Sequence, residues 1–260
     1  MSSFYKYSPI KNLKNLEDEH SLNNLFSSRV AFSRRKSFND LFDSQVKFII
    51  PNKHEIKQTY KSLSGKSKLD FKHMFIKGSG SAGVDNLKSR INGILDSYLF
   101  YCLTDNPRSN LMWSHYASSH NGFCIEWDGN FVKPQKIKYQ QSIPEFDLLQ
   151  FIKKIFGLLN DTSLLEEAWA KLNIKLDEWE YEQEYRFQLS NSMESLIVED
   201  MGNIALVQAQ PEWVKSIVFG YRMGQDTRNY IIDRLPSDMK YKEIIICSNQ
   251  SELKVVNYSA

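Results

Sequence analysis

The chain has 260 residues, room for one large domain or two small ones with a sizeable core. Its 33 Lys+Arg against 31 Asp+Glu exclude net charge as an argument for wholesale nucleic-acid or membrane binding, and 13% aromatic residues exclude a disordered chain. Three widely spaced cysteines (Cys102, Cys124, Cys247) with no Cys-x-x-Cys or His/Cys cluster point to reduced thiols, a cytoplasmic setting and no metal, and the absence of a signal-like opening or a long apolar run predicts no membrane partner.

In chain order, Phe4–Ile10 reads as an opening strand, Ser21–Ser28 as a short helix and Arg29–Ser33 as a strand. The FNDLFD turn at Phe38–Asp43 and an apolar piece at Val46–Pro51 follow. Asn52–Lys77 is polar, with 7 Lys and 2 His, and reads as helix plus exposed loop. Gly78–Gly83 is expected to be a flexible loop or tight turn. A helix over Val84–Ser97 puts Leu87, Ile91, Ile94 and Leu95 on one stripe. Strands are expected at Tyr98–Thr104, Phe123–Trp127 and Lys136–Tyr139, with a short helix at Asn110–Ser118.

Pro144 fits the first turn of a helix running to about Leu159, and Thr162 caps a second helix to about Leu172. Tyr181–Leu189, Leu196–Val198, Ala205–Val207 and Val214–Tyr221 read as strands, Asp226–Leu235 as a helix capped by Asp226, and Lys242–Cys247 and Lys254–Tyr258 as closing strands. Short strands mixed irregularly with helices indicate an α+β fold. The whole of 1–260 reads as a single domain, with a helical and loop insertion around 52–97 and a helical pair around 144–172.

Three stretches invite chemistry. In WEYEQEYRF (Trp179–Phe187), strand alternation would put Glu182, Glu184 and Arg186 on one face, and Tyr181, Gln183, Tyr185 and Phe187 on the other. Two carboxylates so close repel unless Arg186 pairs with one and leaves the other poised. The bland alternative is a salt-bridged solvent face. Leu111–Trp127 clusters Trp113, Ser114, His115 and Tyr116 ahead of His120, a set suited to holding a flat polar ring such as nicotinamide or a nucleobase. Arg34, Arg35 and Lys36 precede Asn39 and Asp40, which favour turns and caps. Gly78, Gly80 and Gly83 match a dinucleotide-binding pattern formally, but the charged DFKHMFIK before them is no Rossmann strand. No GxSxG elbow surrounds a serine.

These segments resemble bacterial domain-of-unknown-function family 2971: Tyr5-Lys6-Tyr7, the turn at Phe38–Asp43, the block Met112–Trp127 and the strand Trp179–Arg186 follow its motifs in order. Leu41 departs from the proline usual in that turn. A second resemblance, to ADP-ribosyltransferase folds, implies a split, mostly antiparallel mixed β core flanked by helices and NAD as substrate, with no metal. It implies Glu184 as the catalytic acid with Glu182 and His115 beside it. Tyr5, Lys6, Tyr7, Ser33, Arg34, Asn39, Asp40, Trp113, Ser114, Tyr116 and Arg186 would bind NAD. It further implies an acceptor that is protein or nucleic acid, a toxin or anti-phage role, and a cognate antitoxin or defence partner. Two other readings stay open: a non-catalytic nucleotide-, nucleic-acid- or protein-binding module using the Lys-rich segment, and a nucleotide hydrolase pairing His115 with Glu126 or Glu184.

Overall fold

The alternating and helical patterns resolve, in a computed structural model, into fifteen strands and seven α-helices that lie wholly within the described residues, which are 2–77, 80–159, 169–189, 191–247 and 251–259. The first part of the chain forms β1 (Ser3–Ser8), α1 (His20–Phe26), β2 (Arg29–Ser33), β3 (Lys47–Ile49), α2 (Lys53–Ser62), α3 (Gly65–Phe71), α4 (Gly80–Ser97), β4 (Phe100–Thr104), α5 (Asn110–Tyr116) and β5 (Phe123–Asp128). Then come β6 (Gln135–Lys136), β7 (Lys138–Gln140), β8 (Glu145–Asp147), α6 (Leu148–Ile155), β9 (Ile174–Leu176) and β10 (Glu184–Gln188). The chain closes with β11 (Ile197–Asp200), β12 (Ile204–Gln208), β13 (Val214–Phe219), α7 (Gln225–Ile232), β14 (Tyr241–Cys247) and β15 (Glu252–Asn257). The mixed α and β character expected from the sequence is present, around a large and mostly antiparallel sheet.

Two units divide the chain: 1–37, 99–137 and 178–260 form the first, 38–98 and 138–177 the second. The first holds the large sheet, in the order β11-β12-β2-β4-β1-β5-β13-β14-β15, with β10 lying along β4 and β6 along β10. All its pairings are antiparallel except β13 with β14, which α7 connects. β10 occupies one edge of β4 along its full length. On the other edge β2 meets β4 only at Ser33–Phe100 and β1 only at Tyr5–Thr104, so the sheet divides there. Lys6 fills the fork: its Nζ donates to the Cys102 carbonyl at 3.1 Å and lies 5.1 Å from the centre of the Tyr101 ring.

One face of this sheet carries the main apolar core, including Phe32, Tyr101, Ile125, Trp127, Ile217 and Phe219. On the other face α5 packs through Trp113 and Ala117 onto Tyr7, Cys124, Val218 and Ile244, with Trp113 meeting Tyr7 edge to face at 5.0 Å. Burying side chains of this size contributes about 1.5–3 kcal/mol each, enough to hold a seven-residue helix that would not persist alone.

In the second unit β3 pairs with β8 and β7 with β9, each in parallel. Asn52 and Glu55 close a reciprocal capping box on α2. Phe71, Phe75 and Phe156 form an aromatic cluster. The segment read as an insertion, 52–97, and the one read as a helical pair, 144–172, both fall in this unit.

Several elements differ from expectation, each for a local reason. Gly80–Gly83 is helical rather than a loop, and a side chain on Gly83 would collide with the Met74 carbonyl, so close helix packing explains that glycine. Gly78 lies outside the described residues. Ile94 is 49% exposed, and Val84 joins the buried stripe in its place. Pro144 precedes the short strand β8, and Asp147 caps α6 by accepting from Leu149 and Gln150 N–H. The cap at Thr162 lies outside the described residues. Asp226 sits in the first turn of α7 rather than at its cap, which is Gly224. The single strand expected at Lys136–Tyr139 is two, β6 and β7, in different sheets.

Candidate functional site

A row of polar residues crosses the α5 side of the sheet. Side chains directly opposite on paired strands share a face. Glu184 stands opposite Thr104, Thr104 opposite Tyr5, Tyr5 opposite Glu126, and Glu126 opposite Ser216. Tyr7, Ser33 and Arg186 share that face by the same alternation.

At one end of the row Glu184 and Arg186, 4% and 1% exposed, are joined by an Nε–Oε1 contact of 2.6 Å. The guanidinium also lies 5.6 Å from the centre of the Phe100 ring. Arg186 thus pairs with one carboxylate of the Glu-x-Glu, as the sequence suggested, and the pair is buried rather than a solvent face. Tyr185 and Phe187 pack against the main core on the reverse side. The Tyr185 hydroxyl donates to Asp105 at 3.0 Å, and its pKa is raised by burial and by that carboxylate.

Glu182 is not on the strand. Asp177–Glu182 forms a 3-10 helix, and Gln183 takes φ of 47°, which breaks the alternation before β10 begins. Consequently Tyr181 and Glu182, expected on opposite faces, both reach α5. The Tyr116 hydroxyl donates to Glu182 Oε1 at 2.5 Å, and His115 Nδ1 shares a 3.2 Å hydrogen bond with the Tyr181 hydroxyl. Trp179 lies against Tyr181, the ring centres 6.0 Å apart. The WSHY block and the Glu-x-Glu segment are therefore brought together by direct contacts.

At the other end of the row Glu126, 4% exposed, accepts from Ser3 at 2.8 Å, Tyr5 at 3.3 Å, Ser216, and Lys242 at 2.6 Å. Burial alone would raise the pKa of this carboxyl, but Lys242, Ser216 and Ser3 outweigh it and hold the group below its ordinary range. Tyr5 is pushed up to about 12, by burial first and then by Glu126. Ser3, Thr104, Ser216 and Lys242 were not singled out in the sequence, and Glu126 only as a partner for His115. The signal was one charged residue inside the apolar run FCIEW, whose register faces Tyr5.

Other expected residues have different roles. Lys6 alternates with Tyr5 and Tyr7 and lies on the far side of the sheet, at the fork. Trp113 is fully buried with its indole N–H on the Pro107 carbonyl, and the Tyr7 hydroxyl is held by the Asn106 carbonyl, so both pack the core rather than present a stacking surface. Burial pushes Tyr7 well above the ordinary phenol range. Ser114 donates back to the Asn110 carbonyl at 2.8 Å and contacts His120 Nε2 at 3.3 Å. Arg34 binds Asp200 through two contacts of 2.8 Å, holding that carboxyl down at about 2. It secures the β11–β12 turn and is no ready phosphate ligand. Asn39 and Asp40 fall in the second unit, where Asp40 Oδ1 accepts from Phe42 N–H at 2.9 Å as an Asx turn. His115 bonds to Tyr181 rather than to Glu126 or Glu184.

The turn after α5 is strained. Ser118, Ser119 and His120 have φ of 47°, 52° and 73°, a run costly for residues with a Cβ. Bonds from His120 N–H to the Trp113 carbonyl and from Gly122 N–H to the Ala117 carbonyl hold it. Burial and the neighbouring Arg222 lower the His120 pKa.

Among the described residues there is no cluster of His, Cys, Asp and Glu able to hold a metal ion, and no helix long and apolar enough to cross a membrane. No curated protein and no solved structure matches the chain. Residues 112–187, which take in β5 and most of α5 and β10, match the model of the family described as "Protein of unknown function (DUF2971)".

Proposed function

We propose that the protein is an ADP-ribosyltransferase-like enzyme that cleaves the nicotinamide–ribose bond of NAD. One observation carries the reading: a buried Glu184, held by Arg186, shares a sheet face with Tyr5 and Ser33 where the sheet divides at β4, while α5 brings His115 and Tyr116 onto the same segment.

The chemistry asked of these groups is modest. The C1′–N bond breaks with its electron pair moving to the pyridinium nitrogen, so neutral nicotinamide leaves and positive charge develops on the ribose. A carboxylate at Glu184, already desolvated and oriented by Arg186, stabilises that charge without reorganising. A nucleophile on the acceptor, or water, then bonds to C1′ and gives up its proton. Glu182, held by Tyr116, is the group positioned to take it. His115, Tyr116 and Tyr181 supply the aromatic wall for the nicotinamide ring. A protein or nucleic-acid acceptor, a cytoplasmic toxin or anti-phage role and a cognate inhibitor belong to the same proposal.

The test is incubation of purified protein with NAD while nicotinamide release is followed by chromatography. Wild type releases nicotinamide, Glu184→Gln lowers the rate by roughly 100-fold or more, and Tyr116→Phe lowers it by roughly 10-fold with melting behaviour retained. Absence of both NAD turnover and calorimetric NAD binding in the wild type overturns the class. Unchanged activity in a folded Glu184→Gln overturns the site.

A further inference from the structure

The near-neutral balance of the whole chain hides a local excess of positive charge. Asn52–Lys77 carries 7 lysines against two carboxylates, Glu55 and Asp70. Within the second unit, α2, α3 and the π-helical turn Lys72–Ile76 pack together through Tyr60, Phe71 and Phe75. Glu55 is occupied by the capping box of α2. Among the described residues none of the seven lysines makes an ion pair, and Lys68 only covers the Tyr60 ring, 4.9 Å from its centre. Lys53, Lys57 and Lys61 are exposed and recur every fourth residue, so they form one stripe at steps of about 6 Å along α2, on the side away from the buried Ile56 and Thr59. Like charges at that spacing repel. A stripe with no internal counter-charge is a surface suited to an anionic partner.

The apolar residues of the same block select the partner. Phe71 and Phe75 turn inward and are buried, but Leu69 is 61% exposed, Met74 41% and Ile76 36%. One turn of helix separates Leu69 from Lys66 on one side and from Lys72 on the other, so lysines flank it. Aliphatic tips ringed by lysines match the surface of an anionic bilayer, where apolar side chains enter the acyl boundary and ammonium groups meet lipid phosphates. Single-stranded nucleic acid fits less well, because it stacks on exposed rings. Here Phe71 and Phe75 are buried and Tyr60 lies half-buried beneath Lys68.

We propose that the α2–α3 block docks peripherally on membranes rich in anionic lipid, with Leu69, Met74 and Ile76 entering the interface and the lysines on the headgroups. Balanced net charge bears on wholesale binding, and the absence of a long apolar helix among the described residues bears on spanning; neither opposes a local docking face. The inference is independent of the NAD reading.

Co-sedimentation of the full chain with vesicles of equal parts phosphatidylserine and phosphatidylcholine tests it. The protein pellets with these vesicles, stays in solution with phosphatidylcholine alone, and is released as salt rises. Lys57→Gln combined with Lys61→Gln weakens vesicle binding by about 25-fold, roughly 5-fold for each lysine. Leu69→Ser weakens it by about 10-fold and leaves any binding of duplex DNA unchanged. All three side chains are exposed, so melting behaviour is retained in both variants. Absence of pelleting with the anionic vesicles, equal pelleting with phosphatidylcholine alone, or a double lysine variant of wild-type affinity overturns the site. Wild-type vesicle binding by Leu69→Ser, or duplex DNA bound as tightly as the vesicles, makes the face a general polyanion surface and overturns the lipid assignment.

Discussion

Arg186 is a full charge that water hardly reaches, and it persists because Glu184 lies 2.6 Å away. Such a pair is poor evidence for stability, since desolvation consumes much of the attraction, but breaking it is expensive. Arg186→Met should therefore destabilise the protein by about 3–5 kcal/mol, whereas Glu184→Leu combined with Arg186→Met should recover most of that loss. Chemical denaturation of both variants checks this, and a double variant no better than the single would show that the pair supports the fold itself. Glu126 makes a pH prediction. Its folded pKa lies below the ordinary value of 4.5, so the unfolded chain takes up the proton first as pH falls. Its contribution is complete above about 4.5 and is lost as pH drops through the depressed value. Glu126→Gln should cost about 2–3 kcal/mol at neutral pH, less than a fully buried pair because Lys242 retains some water. That gap should close in acid.

At the scale of elements, the turn after α5 offers a sharper test. Ser119 is exposed and left-handed, so Ser119→Gly should stabilise by about 0.5–1 kcal/mol by relieving the backbone cost. Gly220→Ala should do the reverse, because its new Cβ would lie 2.3 Å from the His120 carbonyl oxygen. Thermal melts of the two variants, read side by side, check the sign. The legibility of the sequence also divides at this scale. Arg29–Ser33 was readable to the residue because it alternates apolar and polar between clear punctuation. The Glu-x-Glu segment was readable in content and not in form: one positive φ at Gln183 moves Glu182 from strand to helix, and nothing in WEYEQEYRF announces it. The Tyr116–Glu182 and His115–Tyr181 contacts span 66 residues and depend on how α5 docks, which local periodicity does not encode. The polar row was hidden for a related reason. Lateral register between strands far apart in sequence decides which residues face each other.

For the whole molecule, the mixed α and β character and most strand positions followed from pattern, while strand order and the two-unit division did not. Composition carries no mark of which strands are central. Stability should be graded across the large sheet, with amide protons of β1, β4 and β5 exchanging slowest and those of β11 and β15 at its edges fastest. Hydrogen exchange read by mass spectrometry checks this, and uniform protection would contradict it. The position of β1 has one more consequence, for folding. It is the midpoint of the strand order, yet its partners β4 and β5 begin about a hundred residues later. During synthesis the segment SFYKYS must wait, unpaired, for neighbours that do not yet exist. A waiting aromatic strand is an invitation to mispair with other chains, and the lysine at position 6 is the charge that discourages it. The residue that closes the fork in the finished sheet thus doubles as a gatekeeper before the sheet is made, and replacing it with an apolar residue should lower soluble yield more than it lowers the stability of the folded protein.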